Sequence, residues 1–187
     1  NKTKTYDRKN YPKTSCMAHM SPKQKVELVM KDVIEINRLR PQFQVDPRMS
    51  ACMAWRESRI NPNAYAEYAS ANDAGTYQVT RGTTEYVLQN FEPVIPQFKE
   101  VRNKTNQFRA NMLHSTIAQA DLHHMVMYAK ALQGWKRFGL KNRDILKKIR
   151  RGTMTKKDYI AYFAMYNSKS PRGLSLIHIS EPTRPFH

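Results

Sequence analysis

Hydrophobic residues recur at helical spacing in the first part of the chain. After Ser21-Pro22 the apolar positions before Pro41 are Val26, Val29, Met30, Val33, Ile36 and Leu39. This spacing gathers the apolar side chains on one face of a helix. Ser is a favoured N-cap and Pro is favoured in the first helical turn, whereas a later Pro ends a helix. The pattern therefore predicts an amphipathic helix between Pro22 and Pro41.

A second helix is predicted after Asp46-Pro47, which repeats the arrangement of a cap followed by proline. Its apolar side is formed by Met49, Cys52 and Met53. A residue that precedes proline is pushed out of the helical region, so this helix should end near Arg59, before Asn61-Pro62. Glu57 then lies in its last turn.

Glu57 is therefore predicted in an unusual place for an acidic side chain. The negative end of the helix dipole disfavours a carboxylate there and, with partial burial, raises its pKa. A raised pKa suits a general acid at neutral pH. The alternative is a surface glutamate paired with Arg56 or Arg59, and the local sequence leaves both interpretations open.

The middle of the chain is predicted to be irregular. Residues 61–84 are rich in small and polar side chains without a stable period, which is typical of a loop that lines a cleft. A short extended piece is predicted at Tyr77-Gln78-Val79. Thr83-Thr84-Glu85 should cap a short helix that runs through Phe91, and we expect residues 92–111 to form a connection with one short helix.

Further helices are predicted in the C-terminal half. Apolar residues recur in a long segment that ends at Gly139, namely Leu113, Ile117, Ala120, Met125, Ala129 and Leu132. Another helix is predicted from Asn142 through Arg151. Thr155 and Asp158 have the spacing of a capping arrangement for a last helix through Tyr166.

The composition indicates a folded, strongly basic protein. The chain has 187 residues, of which 40% are hydrophobic, and 32 Lys and Arg against 15 Asp and Glu give a net charge of +17. An anionic polymer is the natural partner of such a surface, although charge alone does not distinguish nucleic acid from an anionic wall or membrane surface. No apolar run approaches the roughly 18 residues that span a bilayer, so we expect no transmembrane segment.

The cysteines and histidines do not indicate a metal site. Cys16 and Cys52 are too few and too far apart in the sequence for one. They either form a disulfide that ties the N-terminal arm to the helix of Glu57, or remain two buried free thiols. His123-His124 are adjacent and therefore point about 100° apart on a helix, so no metal is predicted there.

Short motifs in a fixed order carry a family resemblance. They are Glu57-Ser58, Asn61-Pro62-Asn63-Ala64, Gly75-Thr76-Tyr77-Gln78-Val79 with Thr83, and Ala164-Met165-Tyr166-Asn167. In order and spacing they resemble the Glu-Ser, Asn-Pro-x-Ala, Gly-Leu-Met-Gln and Ala-Tyr-Asn blocks of the soluble lytic transglycosylase family, whose fold is like that of goose-type lysozyme. The resemblance extends over roughly residues 44–173. Thr76 and Tyr77 depart from it, because they replace the usual Leu-Met pair.

The resemblance implies a mainly α, lysozyme-like domain with a substrate cleft and at most a very short β element. It implies peptidoglycan cleavage between N-acetylmuramic acid and N-acetylglucosamine with a single catalytic acid, Glu57, and no cofactor. Glu57 would protonate the glycosidic oxygen and then accept the proton of the muramic 6-hydroxyl, which closes a 1,6-anhydro ring. The implied substrate-binding residues are Ser58, Gly75, Tyr77, Gln78, Tyr166 and Asn167.

Two other functions remain open. A lysozyme-type muramidase on the same fold would need a second carboxylate, for which Asp73 and Glu67 are the candidates. A non-catalytic, basic module that binds wall polymer or nucleic acid would make Glu57 incidental. For the favoured function we expect peptidoglycan strands and anionic wall polymers as partners, no specific nucleic acid, a monomer, and a location in the cell envelope, outside the cell or in a phage particle.

The predicted domain organisation has three parts. Residues 1–20 form a basic N-terminal arm, and residues 21–173 form the transglycosylase domain. Residues 174–187 resemble the translation of a sequencing adapter, so we expect them to be foreign to the natural protein and the source to be an environmental sequence assembly. A basic face is predicted between Lys136 and Lys157, with ten Lys or Arg against one acid.

Overall fold

The computed structural model describes residues 17–65 and 73–137, with side chains up to residue 132, and eight single positions between 144 and 158. Over these ranges the protein is mainly helical, as the sequence predicts. The helices are α1 (Pro22–Leu39), α2 (Pro47–Ser58), α3 (Arg81–Asn90), α4 (Pro96–Lys99), α5 (Thr105–Met112) and α6 (Thr116–Arg137).

Local capping starts the first two helices where the sequence predicts. The Ser21 hydroxyl accepts a hydrogen bond from Gln24 N, and the Gln24 side chain accepts one from Ser21 N, which forms a capping box. At α2 the Asp46 carboxylate accepts hydrogen bonds from the backbone N–H groups of Arg48 and Met49. These caps satisfy N–H groups that have no partner inside the helix.

The boundaries of the next helices correct the sequence prediction. Helix α3 begins at Arg81, because Thr80 is its N-cap and accepts from Thr83 N at 3.1 Å. Thr83 thus lies inside the first turn and does not cap it. Residues 92–111 contain two helices, α4 and most of α5, where one was expected. The side chain of Phe108 on α5 is fully buried, so tertiary packing, which a local pattern does not report, stabilises that helix.

Helix α6 is the centre of the fold. Its residues 118–129 are all buried, which marks a helix surrounded by others. Helix α1 packs against both α2 and α6, and α3 packs against α5 and α6. The core includes the side chains of Val33, Phe43, Ile60, Leu88, Phe108, Met112, Leu122 and Met125.

A buried polar network joins the end of α1 to α6. The guanidinium of Arg40 lies 2.8 Å from the carboxylate of Asp121, with 3% and 1% of the two side chains exposed. Arg40 Nη1 is 2.9 Å from His124 Nδ1, and His124 Nε2 is 3.0 Å from the carbonyl oxygen of Phe43. A guanidinium only donates and a carbonyl only accepts, so His124 must be neutral with its proton on Nε2.

Within the residues that the structure describes, the β structure is limited to isolated bridges in the loop after α2. Tyr65 pairs with Ala74, and Ala74 pairs with Val79. The extended piece predicted at Tyr77-Gln78-Val79 is wrong in part, because Tyr77 and Gln78 lie in the turn between the bridged residues, where Gln78 has a φ of 51°.

Part of the predicted C-terminal structure is also seen. Asp144, Lys147, Lys148 and Arg151 are helical. Thr155 N donates to Asp158 Oδ2 at 2.8 Å and Asp158 N donates to Thr155 Oγ1 at 3.2 Å, which confirms the predicted capping arrangement. Gly139 and Tyr166 lie outside the described residues. Across the described ranges, every helix is too short or too polar to cross a membrane.

Candidate functional site

Glu57 lies in the last turn of α2, at an end that is fixed by tertiary packing. The chain leaves the helix through Arg59 and Ile60, whose φ angles of 57° and 56° are left-handed. This conformation costs about 1–2 kcal/mol for a residue with a side chain. It brings Ile60 into the core, where its side chain is fully buried. Burial of Ile60 thus holds the helix end in place while Glu57 stays exposed.

Ser58 ties this helix end to the following loop. Its hydroxyl donates to the carbonyl oxygen of Thr76 at 2.7 Å and accepts from Asn61 N at 3.0 Å. The bond to Thr76 joins residues that are 18 positions apart in the sequence. Ser58 therefore connects the end of α2 to the 75–78 turn through a hydrogen bond.

Gln119 on α6 is a buried residue that the sequence did not single out. Its Oε1 accepts from Thr76 N at 2.7 Å, and its Nε2 donates to the carbonyl oxygens of Pro62 and Met112 at 3.0 and 2.8 Å. One amide thus holds both sides of the loop against α6. No local pattern marks this residue, because its partners come together only in the folded chain.

Gly75 is required by this arrangement. Its φ is +80°, and a Cβ atom at this position would lie 2.6 Å from Gln119 Oε1. Glycine is therefore needed both for the backbone conformation and for the close approach of the amide. The sequence alone was compatible with an ordinary turn glycine.

Gln78 stabilises the same loop from the other side. Its Nε2 donates to the carbonyl oxygen of Gly75 at 2.9 Å and to that of Ala64 at 3.2 Å. The Oε1 of Gln78 accepts no hydrogen bond from any residue that the structure describes. The amide therefore keeps one acceptor for another group.

Tyr77 lies in the interior of the described fold. Only 4% of the residue is exposed, and its ring stacks on that of His123 with centroids 3.9 Å apart and planes inclined by 5°. The structure gives Tyr77 a packing role, in which it positions the 75–78 turn on α6.

The electrostatic environment of Glu57 suits a proton donor. Partial burial of the carboxyl group raises its pKa, although the residue as a whole is exposed. The positive charges of Arg56 and Lys130 lower this pKa, whereas the negative charge of Asp73 raises it. Asp73 and Lys130 thus lie close enough to act on Glu57. An exposed carboxyl group whose pKa is raised can donate a proton to a polymer that binds from solution.

Several predicted site residues lie outside the described residues. These are Tyr166, Asn167, Glu67 and Cys16. Cys52 has an exposed, free thiol, so it is not one of two buried thiols. Among the described residues, no group of three or more His, Cys, Asp or Glu side chains is placed to hold a metal ion.

The described site therefore consists of the hydrogen-bonded 75–78 turn and an exposed acid. Ser58, Gln78 and Gln119 fix the backbone of the loop through side-chain hydrogen bonds. Glu57 stands next to it at the end of α2. Comparison of the chain with protein families, with curated proteins and with solved structures finds no match in any of the three.

Proposed function

We propose that this protein is a peptidoglycan lytic transglycosylase with a lysozyme-like fold. It would cleave the β-1,4 bond between N-acetylmuramic acid and N-acetylglucosamine and leave a 1,6-anhydro end. The observation that carries the proposal is Glu57, an exposed acid with a raised pKa beside a hydrogen-bonded loop. The ordered motifs of the sequence support the same function.

In the proposed reaction Glu57 is both acid and base. Its carboxyl proton passes to the glycosidic oxygen, and the bond from that oxygen to C1 of the muramic sugar breaks. The 6-hydroxyl oxygen of the same sugar then bonds to C1, and its proton returns to the Glu57 carboxylate. The enzyme ends in its starting protonation state, and no water molecule is consumed.

The other residues would support this chemistry mainly through the loop. Ser58 and Gly75 keep the 75–78 turn next to Glu57 through contacts with Thr76 and Gln119. The open Oε1 of Gln78 is suited to accept a hydrogen bond from the N–H of an N-acetyl group. Direct contacts from Tyr166 and Asn167 remain part of the proposal.

The proposal is tested by mass spectrometry of purified peptidoglycan after digestion. Anhydro ends are expected for the wild type. Glu57→Gln should lower the rate of their formation by about 10²–10⁴-fold, because general acid catalysis contributes about that much. Glu100→Gln is the matched control, since Glu100 is exposed in the turn after α4. Full activity in Glu57→Gln would refute the proposal.

A muramidase is the second candidate, because one observation favours it. The charge of Asp73 raises the pKa of Glu57, so a second carboxylate is near the acid. An inverting hydrolase needs its two carboxyl groups about 6.5–9.5 Å apart with a water between them. Reducing ends that disappear in Asp73→Asn would identify the hydrolase, whereas anhydro ends that persist in this variant would identify the transglycosylase.

The partners and location follow as part of the proposal. The net charge of +17 favours adsorption to anionic wall polymers near the substrate. Such an enzyme would act in the cell envelope, outside the cell or from a phage particle. Digests that contain neither anhydro nor reducing ends would instead favour a basic binding module.

A further inference from the structure

The exposed side of α2 carries only positive charge. Arg48, Cys52 and Arg56 are exposed at intervals of four residues, which places them within about 80° of one another around the helix axis. Glu57 is the only acidic residue in α2, and it lies about 180° from Arg48 and about 100° from Arg56. The helix therefore has no acid of its own beside these two arginines.

A third arginine is fixed at the C-terminal end of α2. Arg59 has a left-handed φ of 57°, and its backbone N–H donates to the carbonyl oxygen of Trp55 at 2.9 Å. Its guanidinium lies over the Trp55 ring, with Cζ 5.2 Å from the ring centroid, which is the range of a cation–π interaction. Trp55 is half-buried and packs against the core. The ring thus supports the guanidinium of Arg59, which is exposed.

These three arginines, called the arginine face below, have no anionic partner. In the part of the chain that the structure describes, the side chains of Arg48, Arg56 and Arg59 form no ion pair. Exposed arginines elsewhere do pair, as Arg38 does with Glu35 on α1. A guanidinium is a planar fork of donors that fits an oxyanion. Like charges on one surface also repel each other, so an anionic partner stabilises it.

The spacing of the arginine face favours a polymer over a single anion. At 1.5 Å per residue, Arg48 and Arg59 lie about 16 Å apart along the helix. Poly(glycerol phosphate) carries one phosphodiester per glycerol unit, so one chain presents several phosphates over this length. A single-stranded nucleic acid would use open aromatic faces to stack its bases, whereas the Trp55 ring is covered by Arg59.

We propose that the arginine face is a docking surface for a phosphodiester wall polymer, poly(glycerol phosphate). Arg48, Arg56 and Arg59 bind its phosphates, and Trp55 supports Arg59. The choice of a wall polymer rests on the proposed function, whereas the anion-binding surface does not. Since Glu57 lies in the last turn of the same helix, a polymer bound here keeps the proposed acid close to the wall.

Calorimetric titration of the full chain with purified poly(glycerol phosphate) at several salt concentrations tests the proposal. Each lost phosphate contact should reduce the slope of log K against log salt concentration by about 0.7, as for a single-stranded nucleic acid. The triple variant Arg48→Gln, Arg56→Gln, Arg59→Gln should therefore reduce the slope by about 2.

A matched variant removes three positive charges elsewhere. Lys23→Gln, Lys31→Gln, Lys104→Gln changes exposed residues in α1 and before α5, and it should keep the wild-type slope. Equal slopes in the two triple variants would overturn the proposal, because binding would then follow net charge alone. If the arginine variant does not fold, Arg48→Gln decides: its slope should fall by about 0.7, and an unchanged slope would overturn the proposal.

The support from Trp55 is tested separately. Trp55→Leu should weaken binding of poly(glycerol phosphate) about 2–5-fold, which corresponds to the loss of an exposed cation–π contact. The salt slope should stay the same, because no charge is removed. Wild-type affinity in folded Trp55→Leu would overturn the role assigned to the ring.

Two comparisons separate the proposal from its alternatives. A single-stranded oligonucleotide with the same number of phosphates should bind less tightly than poly(glycerol phosphate). Tighter binding of the oligonucleotide, lost in the arginine variant, would make this a nucleic-acid surface and overturn the proposal. If digests contain no anhydro ends but only the arginine variant loses slope, the proposed function fails and the docking surface stands. If anhydro ends form and both triple variants bind alike, the docking surface fails and the function stands.

Discussion

Acidification should weaken the fold through His123. The ring is fully buried against Tyr77, and burial, with a smaller contribution from Lys130, lowers its pKa to about 3. In the unfolded chain the pKa of a histidine is about 6.5. As the pH falls below about 6.5, His123 binds a proton in the unfolded state but stays neutral in the folded state, so the free energy of unfolding decreases. Above that pH His123 is neutral in both states, so it does not make the free energy of unfolding depend on pH.

The magnitude follows from the two pKa values. A pH of 5 lies about 1.5 units below the pKa of the unfolded ring. At about 1.36 kcal/mol per unit, the free energy of unfolding falls by about 2 kcal/mol. The loss approaches about 5 kcal/mol near pH 3, where the folded ring also takes up its proton. His124, whose pKa is lowered by burial and by Arg40, adds in the same direction.

Urea unfolding of the wild type and of His123→Phe isolates the effect. Phe keeps a ring for Tyr77 to stack on and removes the titration. The carboxyl groups of Glu57 and Asp121, whose pKa values are raised by burial, oppose the trend in both proteins and cancel in the difference. Between about pH 7.5 and pH 5, the wild type should lose about 2 kcal/mol more than the variant. Parallel pH profiles for the two proteins would refute the reasoning.

Two further predictions concern the supports of the site. In thermal unfolding, Gly75→Ala should lower the free energy of unfolding by about 2–3 kcal/mol. The φ of Gly75 is +80°, and a Cβ atom there would lie only 2.6 Å from Gln119 Oε1, which would have to move. The control is Gly82→Ala in α3, which has open space around it and should be stabilised by about 0.5–1 kcal/mol. Equal effects would contradict this account. Arg40→Met should lower the free energy of unfolding, measured with urea at neutral pH, by about 3–5 kcal/mol, because it leaves the buried Asp121 carboxylate without its ion-pair partner. That cost should shrink on acidification, because the pKa of Asp121 is raised and the folded state then neutralises it. A cost that grows at low pH would contradict the assignment.

The sequence alone determined features that depend on neighbouring residues. Ser21 and Asp46 cap the first helices, and Thr155 caps with Asp158, because these bonds join residues two or three apart. The same local reasoning placed Glu57 in the last turn of α2. Caps and prolines act through the adjacent backbone, so a single sequence reveals them.

Only the tertiary structure decided which groups support Glu57. Gln119 reaches Thr76 across 43 residues, and Tyr77 is buried against His123 of α6. Distant partners depend on how helices pack, and the hydrophobic pattern sets which face is buried without fixing what that face meets.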